Sequence, residues 1–248
     1  MSDTIIYGKN PVIEAIKTGQ KLEKVFLLAS LRGEVEVQVR NVCRDHNIPL
    51  TKVPQRRLNE MAKGNNHQGV LAYISPVEYT TVDKLVPQLI ADGVVPLLLV
   101  LDGVTDVRNM GAIARSAKVF GAHGIIIPAK GTARVSDEMV KSSAGAILHV
   151  PVCRENSLPV ALETLQQHSI RVYATDLQAT KTIAEVDLKH PTALILGSED
   201  LGVSKKSLQI ADEAVKIPQA DSFDSLNVSV AAGILLYEVL QQRVNIES

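Results

Sequence analysis

The chain has 248 residues and a mass of 26.8 kDa, room for one large or two modest domains at about 150 residues each. Hydrophobic residues make up 46%, enough for a real core, and 26 Lys/Arg against 27 Asp/Glu leave a net charge of −1, which excludes a polybasic, histone-like protein. Three Phe, five Tyr and no Trp are too few for a platform that stacks several bases. No apolar run reaches the ~18 residues of a membrane helix, and Met1-Ser2-Asp3-Thr4 opens neither a basic nor an apolar leader, so a cytoplasmic protein without membrane contact is expected. Cys43 and Cys153 cannot build a metal site alone and are expected as buried thiols.

The first third alternates helix and strand. Asn10-Pro11 reads as a helix start, with Val12, Ile13 and Ile16 as the apolar stripe and Gly19 as the stop. Val25–Leu28 is a buried strand, Glu34–His46 a helix, Ile48–Val53 a strand, Gln55–Lys63 a helix and Gly69–Ile74 a strand. Pro76, Pro87, Gly93 and Pro96 punctuate the next stretch, although Val82–Ala91 suits one helix. Residues 1–78 are therefore expected as one domain, 79–96 as a linker and 97–248 as a second domain.

That second domain is a clearer α/β pattern. Leu97–Leu101, Gly124–Ile127, Ile147–Val152, Ile170–Thr175, Ala193–Leu196 and Ala214–Ile217 read as strands. Asn109–Phe120, Asp137–Ser143, Leu158–His168, Lys205–Ala211 and Leu226–Val244 read as helices between and after them. Continuous apolar strands alternating with helices predict a parallel sheet covered on both faces. The charge also divides. Residues 1–76 carry eleven Lys/Arg and seven Asp/Glu, a net of +4, and residues 77–248 carry fifteen and twenty, a net of −5. A basic module ahead of an acidic one suits an anionic partner.

In such sheets ligands sit beyond the carboxyl ends of strands. After Leu101 come Asp102 to Ala117, with Asn109, Arg108 and Arg115 but neither the G-x-G-x-x-G of a dinucleotide site nor a P-loop. Asn109 alone could be a helix cap, and Arg115 a solvated charge. After Leu196 comes Gly197-Ser198-Glu199-Asp200-Leu201-Gly202, where a glycine would let a ligand approach the backbone. After Ile217-Pro218 comes Ser222-Phe223-Asp224-Ser225-Leu226-Asn227-Val228-Ser229, where Ser225 could cap the last helix.

Taken together, Asn109-x-Gly111-Ala112-Ile113-x-Arg115, Gly197-x-Glu199, and Ile217-Pro218 with Ser225-Leu226-Asn227-Val228-Ser229 resemble the three motifs of the SpoU/TrmH class of SPOUT RNA methyltransferases. Tyr7-Gly8-Lys9-Asn10-Pro11 and His67-Gln68-Gly69-Val70 resemble that family's L30e/L7Ae-like substrate-binding domain. The subgroup most similar methylates a guanosine ribose of 23S rRNA. Val107 and Asp200 depart from the family, which often has Pro and Gly there. Neither is a reacting group.

The resemblance implies an α/β SPOUT domain with a C-terminal deep trefoil knot, S-adenosylmethionine as methyl donor, structured RNA as partner and a homodimer with sites near the subunit interface. It implies Arg115 at the centre of a catalytic set with Asn109, Glu199, Ser225 and Asn227. Because a guanidinium is a poor base, Arg115 is expected to orient the ribose or phosphate, and Glu199 to hold the arginine or its loop. Gly197, Ile217, Pro218 and Leu226 are implied cofactor contacts, in loops 197–202, 217–223 and 225–229. Lys9, Arg56, Arg57, Lys63, His67, Gln68 and Arg108 are implied RNA contacts; His67-Gln68 could instead shape a turn, and no metal is implied. Two alternatives stay open: transfer RNA as substrate, and a non-catalytic RNA-binding adaptor that would bind no S-adenosylmethionine. An oxidoreductase on an ordinary α/β sheet is disfavoured by the missing glycine fingerprint.

Overall fold

The structure is a computed structural model that describes residues 5–46, 48–221 and 225–244. Of the segments read above, 1–4 and 222–224 lie outside it. The chain divides into two compact units, Met1–Glu78 with Arg134–Asp137, and Tyr79–Ala133 with Glu138–Ser248.

The smaller unit contains β1 (Ile5–Tyr7), α1 (Lys9–Lys17), β2 (Leu22–Leu28), α2 (Glu34–Asp45), β3 (Leu50–Val53), α3 (Gln55–Ala62) and β4 (Val70–Ile74). Its sheet has the order β1-β4-β2-β3, with β2 and β3 parallel and the other pairs antiparallel. Side chains alternate across β2, so the sheet is packed on both faces. Val25 and Leu27 meet Val12 and Ile16 of α1 and Val39 and Cys43 of α2. Phe26 and Leu28 meet Leu58 and Ala62 of α3. Helix α1 starts before Pro11 because Gly8, at φ +91°, turns the chain out of β1 and donates its N–H to the Val70 carbonyl at 2.9 Å. Pro11 then sits in the first turn, where its missing N–H has no intrahelical acceptor to lose.

The larger unit runs β5 (Tyr79–Thr80), α4 (Val82–Ala91), β6 (Leu97–Asp102), α5 (Val107–Val119), β7 (Gly124–Pro128), α6 (Asp137–Ser142), β8 (Val152–Glu155), α7 (Leu158–Gln167), β9 (Arg171–Thr175), β10 (Lys181–Thr182), β11 (Thr192–Gly197), α8 (Lys205–Ile210), β12 (Glu213–Lys216) and α9 (Val228–Val244). All strands pair in parallel, in the order β10-β12-β9-β11-β6-β7-β8-β5. Leu98, Val100, Ile126, Val172, Ala193 and Ile195 form one buried face with α4, α7 and α8. Leu97, Leu99 and Leu101 alternate to the other face, where α5 packs on α9.

Two expectations are corrected. Residues 79–96 are not a linker: β5 pairs with β8, and Val82, Leu85 and Val86 of α4 are buried in the larger unit's core. The Glu155 carboxylate accepts the Val82 N–H at 2.6 Å and anchors the start of α4; burial pushes that carboxyl above the usual range. Residues 147–152 are not one strand. Ala146–Leu148 is a 3-10 turn, and β8 begins only after Pro151, which has no N–H to pair. Cys43 and Cys153 are buried and unpaired, and burial pushes each thiol up to about 12. Among the described residues no helix is long and apolar enough to cross a membrane.

Arg243, in the last turn of α9, ties that helix to the entrances of β6 and β11. Its guanidinium donates to the carbonyls of Leu188 (3.0 Å), Val95 (2.9 Å), Pro96 (3.1 Å) and His190 (2.8 Å). Arg243→Ala leaves these acceptors without their donor and should cost about 3 kcal/mol in urea unfolding. Arg243→Lys, with three donors on a point charge, should recover only part of it.

Candidate active site

Parallel strands deliver all their carboxyl ends to one edge, and register decides which loops meet there. Gly197 of β11 pairs with Asp102 of β6, so the loops that follow leave the sheet at one level. The loop after Gly197 closes on itself. Ser198 and Gly202 exchange backbone hydrogen bonds of 3.2 and 2.9 Å, and the Ser198 hydroxyl accepts the Leu201 N–H at 3.2 Å. A Cβ on Gly197 would lie 1.9 Å from the Gly202 carbonyl carbon and 2.1 Å from the Val203 nitrogen. The loop's own backbone therefore requires the glycine, whatever a ligand requires. The Asp102 carboxylate accepts the Ser204 N–H at 3.0 Å and fixes the far end of the loop to β6.

Helix α5 is capped by Asp106, which accepts the N–H groups of Arg108 (2.8 Å) and Asn109 (2.9 Å). Asn109 is thus not the cap, and its side chain is available for a longer reach. It donates Nδ2–H to Glu199 Oε1 at 2.6 Å. Asn227 donates to the same oxygen at 2.8 Å and to Asn109 Oδ1 at 3.1 Å. Asn227 also caps α9, its Oδ1 accepting the Ser229 N–H at 2.9 Å and the Ser229 hydroxyl at 2.6 Å. Ser225, the residue read as a possible cap, lies two positions earlier and is exposed. One carboxylate oxygen thus gathers two amides from loops far apart in sequence. Among the described residues, Glu199 Oε2 receives no donor.

Arg115 is not part of this cluster. It is six residues beyond Asn109, about 120° round and about 9 Å along α5. It is exposed and has no hydrogen bond or ion pair among the described residues. Of the two expected roles of Glu199, holding the arginine or holding the loop, the hydrogen bonds show the second: its Oε1 accepts two amides from other loops.

Ile217, half-buried, and Pro218, exposed, follow β12 at the same edge, and Leu226 is 37% exposed beside Asn227. Strand β9 lies between β12 and β11, so its end belongs to this edge too. The sequence reading passed over that end because chain order separates it from Gly197. Its signal was an apolar strand running into Asp176-Leu177, with Leu177 55% exposed. Leu201, in the Gly197 loop, is 88% exposed.

In the smaller unit, Arg56 and Arg57 flank Glu60, at 3.1 and 3.4 Å. Lys63 and Gln68 are exposed at positive φ (49° and 48°), Lys9 opens α1, and in the larger unit Arg108 is exposed at the start of α5. His67 is a correction to the set of RNA-facing residues. It is 9% exposed; Nδ1 accepts the Gly69 N–H at 3.0 Å, which leaves Nε2 to donate to Asn59 Oδ1 at 2.8 Å. Both ring nitrogens are spent on holding the turn into β4.

A family model described as the SpoU rRNA Methylase family matches residues 96–237, and one described as RNA 2′-O ribose methyltransferase substrate binding matches residues 5–80. A Bacillus subtilis (strain 168) protein assigned to the TrmH family of tRNA/rRNA methyltransferases is 36% identical over 239 residues, covering 96% of this chain and 95% of that one. The AdoMet-bound rRNA methyltransferase of Sinorhizobium meliloti is similar in structure, with TM-score 0.58 and 26% identity over 96% of this chain and 86% of that one. The SpoU methyltransferase AviRb of Streptomyces viridochromogenes shares the fold, with TM-score 0.62 and 24% identity over 98% of this chain and 92% of that one.

The amide–carboxylate cluster is open to test without any assay of activity. Asn109→Ala, Glu199→Ala and their double variant should show a coupling of about 0.5–1 kcal/mol in a denaturation cycle. Glu199→Gln should preserve the coupling, because its carbonyl oxygen can still accept both amides. Additive single effects would show the contact to be energetically empty.

Proposed function

This chain belongs to the SpoU/TrmH family of S-adenosylmethionine-dependent tRNA/rRNA methyltransferases, and from that premise we propose that it methylates a ribose 2′-hydroxyl, that of a guanosine in 23S rRNA, as a cytoplasmic homodimer. The observation that carries the reading is the meeting of Asn109, Glu199 and Asn227 on one carboxylate oxygen at the carboxyl edge of the sheet. The neighbouring residues suit the methyl donor. Exposed Leu177, Leu201 and Leu226 and half-buried Ile217 offer apolar surface to an adenine, and no phosphate-cradling loop is needed for a ligand without phosphate. When bound, S-adenosylmethionine supplies a methyl group already activated by its sulfonium.

The chain's own part is orientation and charge. Glu199 Oε2, without a donor among the described residues, is placed to accept from a hydroxyl, while the two amides keep the carboxylate from turning. Arg115, always cationic, holds a ribose or phosphate and stabilises the developing alkoxide. Its distance from Asn109 along α5 supports action across a subunit interface. Val119, one turn beyond Arg115, is exposed, as are Val230, Ile234 and Tyr237 on the adjoining α9. A second copy covering this apolar stripe would bring its Arg115 toward the cluster. The expected knot belongs to the same proposal. In its support, α8 packs against one face of the sheet, whereas α9, which follows β12 in the chain, packs on α5.

Purified protein with 23S rRNA, tRNA and methyl-labelled S-adenosylmethionine tests the reading. Arg115→Ala and Arg115→Lys should each lose about a hundredfold in transfer while S-adenosylmethionine binding persists. Near-normal turnover by Arg115→Lys would contradict a planar, bidentate orienter. Mixing Arg115→Ala with Asn109→Ala chains should restore about a quarter of wild-type activity, because half the dimers are mixed and each has one complete site. No recovery would place Arg115 in its own subunit's site.

A further inference from the structure

The acidic total of the larger unit conceals a sharp polarity. Residues 103–133 and 138–154 of that unit carry six Lys/Arg and two Asp/Glu, a net of +4, while the rest of it carries eight and sixteen, a net of −8. The basic segment follows the carboxyl ends of β6 and β7 and runs into β8, and these three strands are consecutive in the sheet. Its loops are bound to one another. Thr132 donates its hydroxyl to the Val104 carbonyl at 3.2 Å, and the Ala133 N–H reaches the same carbonyl at 3.3 Å. The Ser142 hydroxyl contacts the Val107 carbonyl at 3.4 Å, and Gly111 gives α6 its room: a Cβ there would lie 1.9 Å from Ser142 Oγ.

These ties bring together, around the start of α5 where Asn109 lies, the segments that carry Arg108, Lys130 and Lys141. All three are exposed, and none has a side-chain hydrogen bond or ion pair among the described residues. Elsewhere in the same unit cations are drawn to carboxylates, as Arg171 and Lys181 are to Glu213. Three unneutralised cations on segments tied together are poorly placed for stability, since like charges repel, and well placed for a polyanion. Seven residues separate Arg108 from Arg115, two helical turns, so the row continues along one side of α5.

We propose that Arg108, Lys130 and Lys141 form a phosphate track on the catalytic unit itself, which guides the RNA backbone flanking the target nucleotide across the ends of β6 and β7 into the site. The track deepens the methyltransferase reading and rests on it. It adds a second electrostatic RNA contact, separate from that of the basic N-terminal unit.

The test is the salt dependence of binding by the full chain, with bulk tRNA and deproteinised 23S rRNA as probes. Lys130→Ala with Lys141→Ala should reduce the slope of log K against log salt by about 1.4–1.8, from 0.7–0.9 per lost contact. KM for RNA should rise while kcat at saturating RNA stays within about twofold. Lys118→Ala with Lys189→Ala removes the same charge at the opposite edge of the sheet and should leave the slope unchanged. An unchanged slope in the first pair, or an equal fall in both pairs, overturns the track. Absence of methyl transfer by the unsubstituted protein would strike the methyltransferase reading alone, because the slope is read from binding.

Discussion

The pairing of β11 between β6 and β9 is the constraint on which the larger unit depends. All six residues from Thr192 to Gly197 are buried, and the strand can sit in only one register. A slip of one residue would shift Glu199 by about 3.3 Å and turn the side chains of β11 to the opposite faces of the sheet. In register, Gly197 stands opposite Asp102. That single match sets Glu199 two residues above the sheet on one side and the Asp106-capped start of α5 on the other. Asn227 arrives from a third direction, at the start of a helix that Arg243 fixes from its far end.

The site separates two kinds of polar contact. The cluster itself is built from neutral amides on one carboxylate, so it fixes geometry without consuming any cation. The cations lie outside it: Arg115 and Arg108 along one side of α5, Lys130 on the loop tied to Val104 ahead of that helix, and Lys141 on α6, tied to its first turn. Charge that is not spent on internal ion pairs remains for an anionic ligand. The near-zero net charge of the chain hides this arrangement, because the compensating carboxylates lie elsewhere in the larger unit.

Most elements were legible from apolar runs and turn residues. Leu97–Leu101 and Ala193–Leu196 could be little else than central parallel strands, and Val82–Ala91 is a helix as its periodicity implied. The failures have local causes. Val150-Pro151-Val152 looks continuous by hydropathy, but the proline interrupts pairing. Asn10 looks like a cap, but Gly8 had already turned the chain. The candidate site was legible as residue types and not as geometry. Asn109, Glu199 and Asn227 could be named, whereas their convergence depends on a strand order that inserts β11 between β6 and β9. The same order hid Leu177, and it could not reveal that Arg115 points away from Asn109, because helix phase matters only once the partner loops are placed. For His67 the local half was legible, since a turn role was open and Gly69 is two residues away, but Asn59 becomes its second partner only when α3 packs beneath the turn.

Mapping of ribose 2′-O-methyl groups in 23S rRNA and tRNA, from cells with and without this protein, tests the central claim most directly. Loss of the methyl from one guanosine ribose of 23S rRNA, restored by the wild-type chain but not by one carrying Arg115→Ala, is the result expected from this site. An unchanged methyl map in both RNAs would contradict it, and loss confined to a tRNA nucleotide would keep the chemistry while moving the substrate.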